Sequence, residues 1–210
     1  MTASRFHGRE AVLSRLDQSH ASGKLGQPLL FVGAEGTGKE QTALEFARRL
    51  NCARPDACSP ADRCESCVKI LSFQHPDVRW IGPAPATVSE DEVRELFAAM
   101  IANPLHKSAW SATAAIGIGD PDHPGPLTIR SLIQFLRRRA FQSPWKVAIV
   151  ADGQRLNAAA ANAFLKTLEE PPPRTVVMLL TTGTEGMLPT ILSRCQKVRF
   201  QPWPTQELAD

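Results

Sequence analysis

The sequence predicts an α/β protein in which a parallel β-sheet is flanked by helices on both faces. The apolar runs LLFV, KVAIV and TVVMLLTT indicate strands that are buried on both sides, which is typical of parallel sheets. Segments with helical spacing of apolar residues alternate with these runs. A glycine-rich segment, GAEGTGK, lies between the first strand and the helix that follows it.

The composition limits the classes of protein to consider. The chain has 210 residues, 43% of them hydrophobic and 21% charged, which suits one large domain or two small ones. It contains no run of about 20 apolar residues, and its N-terminus lacks the apolar core of a secretory signal. We therefore expect a cytoplasmic protein without a membrane partner. The formal charge of +3 gives little support by itself for nucleic-acid binding.

The first half of the chain predicts helices and strands in alternation. HGREAVLSRLDQ has apolar residues at helical spacing, SGKLGQP interrupts the chain, and LLFV is the first strand. EQTALEFARRL forms a helix directly after the glycine-rich segment. Beyond a group of cysteines, DVRWIG is a second strand. SEDEVRELFAAMI is a helix with acidic residues in its first turn, where the helix dipole favours them.

The second half of the chain continues the alternation after an irregular stretch. Residues 103–127 lose periodicity, and GIGDPDHPGP is a loop by its glycine and proline content. TIRSLIQFLRRRAF is an amphipathic helix that Thr128 can cap, and KVAIV follows as a strand. Asn157 can cap a further helix, which the prolines at 171–173 end. TVVMLLTT and KVRF complete the strands, with a turn, GMLPTIL, between them.

The glycine-rich segment has the spacing of a phosphate-binding loop. Gly33, Gly38 and Lys39 fit the pattern G-x-x-x-x-G-K, and Gly36 lies inside it. In such loops backbone N–H groups and the lysine bind phosphate, and a following Ser or Thr ligates magnesium. The following residue here is Glu40, whose carboxylate opposes an anion by about 1 kcal/mol in a wet site and by several in a dry one. Alternatively, Glu40 only occupies a favourable position in a first helical turn. Both interpretations predict a poor ATPase, and the first also predicts weakened binding of magnesium-ATP.

A second departure lies at the end of the KVAIV strand. ATP-hydrolysing proteins with this loop place an Asp for magnesium there, followed by an acid that activates water. In this chain the metal-binding position is Ala151 and the water-activating position is Asp152. Two independent magnesium contacts are therefore missing, which predicts a degenerate nucleotide site.

Four of the five cysteines form a group with metal-binding spacing. They are Cys52, Cys58, Cys64 and Cys67, while Cys195 stands alone. In a reducing compartment such a group indicates metal rather than disulfides. Four thiolates form a closed tetrahedral site, so we expect structural rather than catalytic zinc. Free thiols are the alternative, and they would be prone to oxidation at this density.

Together these motifs resemble the clamp-loader subunits of bacterial DNA polymerase III, which are P-loop NTPase-like proteins of the AAA+ superfamily. The matching segments are GAEGTGK, the four cysteines, HPDVRW, KVAIVADGQRLNAAAANAFLKTLEEPPP and SRCQKVRF, and they are scattered over most of the chain. The resemblance implies an AAA+ domain with a five-stranded parallel sheet over residues 1–202. It also implies an inserted zinc module at residues 51–76.

The resemblance also implies a role. The motor subunit of this family, gamma or tau, keeps an intact phosphate loop and an Asp-Glu pair, and this sequence lacks both. It therefore looks like the delta prime branch, a non-hydrolysing stator that helps load the sliding clamp on primed DNA. Arg194, in Ser-Arg-Cys, matches the arginine finger that delta prime presents to a neighbour's ATP. Without the resemblance, the sequence around Arg194 predicts only a surface ion-pair partner. The implied partners are the gamma/tau and delta subunits, the clamp and primed DNA at the nucleoid-associated replisome. The chain itself would have neither polymerase nor ATPase activity.

Two features depart from the family pattern, and two rival functions stay open. Residues 84–127 are longer than expected and have no assigned role, and residues 203–210 stand where a lid domain should begin, so we expect a truncated chain. One rival is an active ATPase of the gamma/tau type in which Glu40 and Asp152 rebuild a magnesium site. The other is a zinc-dependent nucleic-acid-binding module.

Overall fold

Five parallel strands form a single sheet in a computed structural model that describes residues 9–202. The strands are β1 (Leu29–Val32), β2 (Val78–Ile81), β3 (Lys146–Val150), β4 (Thr175–Thr181) and β5 (Gln196–Arg199). Their order across the sheet is β2-β3-β4-β1-β5, and every neighbouring pair is parallel. The predicted five-stranded parallel α/β sheet is therefore confirmed.

Helices connect and flank the strands. They are α1 (Glu10–Ala21), α2 (Lys39–Asn51), α3 (Glu65–Leu71), α4 (Glu90–Ala102), α5 (Ile129–Arg137), α6 (Ala158–Glu169) and α7 (Pro189–Leu192). The predicted helices are all present within the described residues. Two short helices were not predicted: α3 lies within the cysteine segment, and α7 replaces the turn expected at GMLPTIL. The predicted start of a lid at residues 203–210 lies outside the described residues.

Side chains at the helix starts explain where several helices begin. Thr128 accepts a hydrogen bond from the Ser131 N–H, and Asn157 accepts one from the Ala160 N–H, so both predicted caps are confirmed. At α4, the Ser89 hydroxyl oxygen and the Glu92 carboxylate each accept from the other's backbone N–H. This capping box satisfies two N–H groups that a helix start otherwise leaves unpaired.

The core lies on both faces of the central strands. All residues of β3 and β4 are buried, which explains why these strands read as continuous apolar runs. Phe31 of β1, Phe46 of α2 and Phe164 of α6 are the largest side chains with no exposed surface. The hydrophobic effect of burying such side chains, each worth roughly 2–3 kcal/mol, fixes the helices against the sheet.

A buried carboxylate holds the turn that precedes β3. Asp77 is fully buried and accepts hydrogen bonds from the backbone N–H groups of three successive residues, Phe141, Gln142 and Ser143, at 2.7, 2.6 and 2.9 Å. The Lys146 ammonium lies 3.5 Å from the same carboxylate. Although burial opposes ionisation, these N–H donors hold the pKa of Asp77 below its usual range. The connection from α5 to β3 is thus fastened to the start of β2.

The long connection between α4 and α5 is mostly irregular, as the loss of periodicity predicts. Within it, Ile116 is fully buried and forms an isolated parallel bridge with Leu156, just before α6. The Arg155 guanidinium donates to the carbonyls of Ala112 and Ala114 at 3.0 and 3.3 Å. The segment is therefore packed against the carboxyl end of the sheet. None of the described helices is long and apolar enough to cross a membrane.

Candidate functional site

The glycine-rich loop joins the end of β1 to the start of α2 at the carboxyl edge of the sheet. Gly33 has no room for a side chain, since a Cβ atom there would lie 2.5 Å from the carbonyl oxygen of Phe200. Gly38 directly precedes α2 and has φ of 78°, in the left-handed region that glycine adopts without strain. Gly36 also has positive φ, 72°. The loop therefore has the backbone that its sequence motif predicts, with Lys39 as the first residue of the helix.

The ammonium group of Lys39 is bonded to the loop itself. Its Nζ donates to the carbonyl oxygens of Gly33 and Ala34 at 2.6 and 2.7 Å, and it lies 3.3 Å from the Thr37 hydroxyl. The residue is buried. Burial lowers the pKa of Lys39, while the neighbouring charge of Glu40 opposes that effect. The lysine thus closes the loop on its own carbonyls, and this interaction needs no phosphate.

The carboxyl group of Glu40 lies in an environment that disfavours its charge. Burial raises its pKa to about 7, and the charge of Asp152 raises it further, against the opposing effect of Lys39. At neutral pH the position that would supply a magnesium-ligating hydroxyl is therefore a half-protonated carboxyl. The helix dipole at the start of α2 does not outweigh this desolvation.

The end of β3 faces the same loop but offers little to a metal ion. Ala151 is buried, and its N–H donates to the Ile81 carbonyl at 2.9 Å. Asp152 has φ of 50°, and its carboxylate accepts a hydrogen bond from the Gln154 side chain at 3.1 Å. Asp152 lines the same cavity as Lys39 and Glu40 of the loop. The structure thus brings the loop and Asp152 to the same edge of the sheet.

Residues 104–108 cover the loop. They and Ser111 line one cavity together with residues 35–41, Ala151, Asp152, Thr181 and Thr182. The Gln41 amide donates to the Pro104 carbonyl at 2.6 Å, and Lys107 forms an ion pair with Glu35 of the loop. The cavity has a volume of about 100 Å³, whereas small-molecule sites usually measure about 300–1,000 Å³. Space for a nucleotide therefore requires the covering residues to move.

The four clustered cysteines converge on one point. They lie between α2 and the end of α3, and their sulfur atoms are all within 4.8 Å of one another. Cys52 and Cys64 sulfurs are 3.9 Å apart, and Cys58 and Cys67 sulfurs are 3.6 Å apart. In a tetrahedral zinc site with Zn–S distances of about 2.3 Å, the sulfurs are about 3.8 Å apart. The described residues therefore fit a four-thiolate zinc site in number and spacing.

The surroundings of the cluster affect its thiols unequally. Burial opposes ionisation of Cys64, but the backbone N–H groups of Cys67 and Ala53 hold the pKa of Cys64 at about 6. Burial raises the pKa of Cys67, and a hydrogen bond from Arg48 acts against that rise. Cys64 thus ionises readily, whereas Cys67 needs a nearby cation to ionise. This combination suits a metal site, because thiolates are the form that binds metal.

Arg194 lies between α7 and β5, where it is paired within the chain. Its Nε donates to Glu169 Oε1 at 2.7 Å, and its Nη1 donates to the Thr190 carbonyl at 2.8 Å. The side chain is 32% exposed, so it also contacts solvent. The surface ion pair considered from the sequence is thus formed with Glu169.

Some residues around these sites were not singled out by the sequence. Arg48, one turn before the end of α2, contacts both Glu45 and a cysteine of the cluster. Lys107 reaches the glycine loop from a segment that has no periodicity. Both contacts join parts of the chain that only the fold brings together, so no local pattern marks them.

The sequence matches the family described as "DNA polymerase III, delta subunit" over residues 8–113 and 126–204. The delta prime subunit of DNA polymerase III from Bacillus subtilis is 28% identical over 199 residues, which cover 95% of this chain and 49% of that protein. The gamma/tau subunit from Mycobacterium tuberculosis (strain H37Rv) is 31% identical over 205 residues, which cover 96% of this chain and 29% of that protein. The chain thus spans about half or less of the length of these curated relatives.

Solved structures show a similar architecture. A gamma subunit-related protein of DNA polymerase III from Thermotoga maritima has a TM-score of 0.58 and 25% identity, and the match covers 92% of this chain and 47% of that one. A RuvB variant from the same organism has a TM-score of 0.50 at 14% identity, covering 97% and 48% of the two chains. The second likeness concerns the fold alone.

Proposed function

The chain belongs to the DNA polymerase III delta subunit family, and from that premise we propose that it is a clamp-loader subunit of the delta prime type, which braces the loader without hydrolysing ATP. One observation carries this choice within the family. Both positions that would ligate magnesium have lost their ligands, because Glu40 replaces the hydroxyl residue and Ala151 replaces the aspartate. The two sites lie at the same edge of the sheet, so the losses affect one nucleotide position.

The geometry of the loop supports a structural role for the glycine-rich loop in place of a role in hydrolysis. Lys39 already has two carbonyl partners within the loop, at 2.6 and 2.7 Å. Glu40 adds a carboxyl where a phosphate or metal would lie, and its pKa of about 7 means that magnesium would have to compete with a proton. Nucleotide binding would therefore gain little from magnesium. Weak binding through the loop N–H groups alone is compatible with this proposal.

In this role the domain would contact the gamma/tau and delta subunits, the sliding clamp and primed DNA within the cytoplasmic replisome. Arg194 would act as the arginine finger for a neighbouring gamma/tau subunit. Its exposed position and single carboxylate partner, Glu169, support such a role, because an incoming triphosphate could replace that carboxylate. An arginine supplied in trans stabilises the charge of phosphoryl transfer and is worth about 10³ to 10⁵ in rate.

We also propose that Cys52, Cys58, Cys64 and Cys67 hold one structural zinc ion. A closed four-thiolate site has no open position for catalysis, and bound metal contributes free energy of folding. The four residues would tie the loop after α2 to the start of α3. Zinc here would stabilise the module and leave the sheet unchanged.

Equilibrium nucleotide binding with and without magnesium tests the central proposal. We expect the affinity for ATP to be weak and unaffected by magnesium, and restoring Thr at position 40 and Asp at position 151 together should make it magnesium-dependent. The matched control is Lys39→Ala in both backgrounds, since it removes the ammonium together with its bonds to the loop carbonyls. ATP turnover by the unmodified chain that Lys39→Ala abolishes would contradict the proposal.

A second candidate is an active ATPase of the gamma/tau type. The observation that favours it is that Glu40 and Asp152 line the same cavity, where the charge of Asp152 raises the pKa of Glu40. In that case Glu40→Gln should abolish ATP turnover. Under the stator proposal the same substitution changes only stability.

A further inference from the structure

We propose that Arg48 is a positioning residue of the cysteine cluster, which tunes its affinity for zinc through a hydrogen bond to Cys67. The proposal rests on the zinc site put forward above and adds a residue from outside the cluster. Arg48 belongs to α2, the helix that begins at the glycine-rich loop. Its Nη1 donates to the Cys67 sulfur at 3.6 Å, which is within hydrogen-bonding distance for sulfur.

A second interaction fixes the orientation of the guanidinium. Arg48 Nε and Nη2 donate to the two carboxylate oxygens of Glu45 at 2.7 and 2.6 Å, in a bidentate pair. Glu45 is itself buried and also accepts from Arg49 Nε at 3.2 Å. Arg49 continues the network to Asp17 of α1 at 2.7 Å. Because the planar fork is held on one edge, its remaining nitrogen is aimed at the sulfur.

The position of Cys67 explains why it needs such a partner. Its side chain has no exposed surface, whereas Cys52 and Cys58 remain in contact with solvent. Four thiolates around a zinc dication carry a net charge of about −2, which is costly to bury without a compensating cation. Arg48 is the cation that the described residues place on a cluster sulfur. Partners of this kind, which bond to a ligand and not to the metal, typically change metal affinity about 10–100-fold when removed.

Zinc affinity of the full chain, measured by competition with a chromophoric chelator, tests the proposal. Arg48→Met keeps the apolar stem that packs on α2 but removes every N–H donor, and we expect it to weaken zinc binding about 10–100-fold. Arg48→Lys keeps the positive charge but lacks the planar guanidinium, so its zinc affinity should lie between those of the wild type and Arg48→Met. Arg54→Met is the matched control, because Arg54 lies in the same module, its guanidinium pairs with Asp62, and its bond to the Cys52 sulfur comes from the backbone, which the substitution keeps.

Cobalt(II) substitution gives a readout that a packing defect would not move. A hydrogen bond stabilises the sulfur lone pairs, so removing it should shift the thiolate-to-cobalt charge-transfer band of Arg48→Met to longer wavelength. Glu45→Gln, which leaves the guanidinium but loosens its orientation, should shift the band in the same direction by less. This variant also serves if Arg48→Met does not fold.

The outcomes distinguish the proposed role of Arg48 from the proposed zinc site on which it rests. Wild-type zinc affinity and an unshifted cobalt band in Arg48→Met and Glu45→Gln would overturn the role of Arg48 while leaving the zinc site in place. If the unmodified chain binds neither metal, the zinc site itself is refuted, and the role of Arg48 with it. Equal weakening by Arg54→Met would show a general electrostatic effect and also count against the proposal.

Discussion

Replacing Glu40 by glutamine should stabilise the domain at alkaline pH and leave its stability unchanged at acidic pH. Glutamine has nearly the shape of the protonated acid but cannot ionise. In the folded chain the pKa of Glu40 is raised from 4.5 to about 7, first by burial and then by the charge of Asp152. The substitution therefore removes the cost of holding a carboxylate at this position.

The sign of the pH dependence follows from proton binding. Between the two pKa values the folded chain keeps a proton on Glu40 that the unfolded chain has released, so stability falls as pH rises. The contribution of the protonated carboxyl is fully present below 4.5 and is lost as pH rises through about 7. The glutamine variant lacks this loss, and titrating groups that do not interact with Glu40 cancel when the two proteins are compared.

The magnitude follows from the same two pKa values. The difference between 4.5 and about 7 corresponds to roughly 3 kcal/mol, at about 1.4 kcal/mol per pKa unit. This figure is an upper limit, because Glu40 retains some contact with solvent. A gain of about 1–3 kcal/mol in the free energy of unfolding is therefore expected near pH 8, with almost none near pH 5.

Urea unfolding followed by tryptophan fluorescence measures this gain across the pH range. Glu35→Gln is the matched control, since Glu35 lies in the same loop but is exposed and pairs with Lys107. Its substitution should change stability by less than about 1 kcal/mol at any pH. A stability difference between Glu40→Gln and wild type that is the same at acidic and alkaline pH would refute the reasoning.

Three further predictions concern the other sites. In the assembled loader, Arg194→Ala should slow ATP hydrolysis at the neighbouring subunit by about 10³ or more without preventing assembly; an unchanged steady-state rate would assign Arg194 to its ion pair with Glu169 alone. Cys64→Ser should abolish stoichiometric zinc in metal analysis while the far-UV circular dichroism of the sheet persists, and a metal-free wild type would contradict the zinc site. Asp77→Asn should lower the free energy of unfolding by about 3 kcal/mol in chemical denaturation, because Lys146 loses its charged partner; a loss below about 1 kcal/mol would argue against that anchor.

The elements that the sequence predicts well are those with a local cause. The strands β3 and β4 read as uninterrupted apolar runs because both their faces are buried. Thr128 and Asn157 stand directly before the helices they cap, so the cap and the helix are visible in one window of sequence. The order of the strands across the sheet is set by long-range pairing, so no such window shows it, and the sequence does not predict it.

The contacts that the sequence could not show join distant residues. Asp77 accepts from three N–H groups more than sixty positions away, and nothing local to Asp77 marks it as an anchor. Arg48 meets Cys67 only because α2 and α3 pack side by side. Similarly, the segment after α4 has no periodicity that would place Lys107 over the loop, since an irregular chain is positioned by what it touches.

The glycine motif and the residues beside it report different properties of this chain. Gly33 is required because the carbonyl oxygen of Phe200, directly after β5, lies 2.5 Å from the position that its Cβ would take, and Lys39 is retained by carbonyls of its own loop. Both constraints hold whether or not a nucleotide ever binds, so the G-x-x-x-x-G-K spacing is evidence of the fold. Glu40 and Ala151 have no such structural constraint: a hydroxyl and a carboxylate at these positions are needed only to hold magnesium. Their replacement is therefore the part of the sequence that bears on chemistry, and it is the basis of our proposal that this domain keeps the nucleotide-binding architecture while leaving hydrolysis to neighbouring subunits.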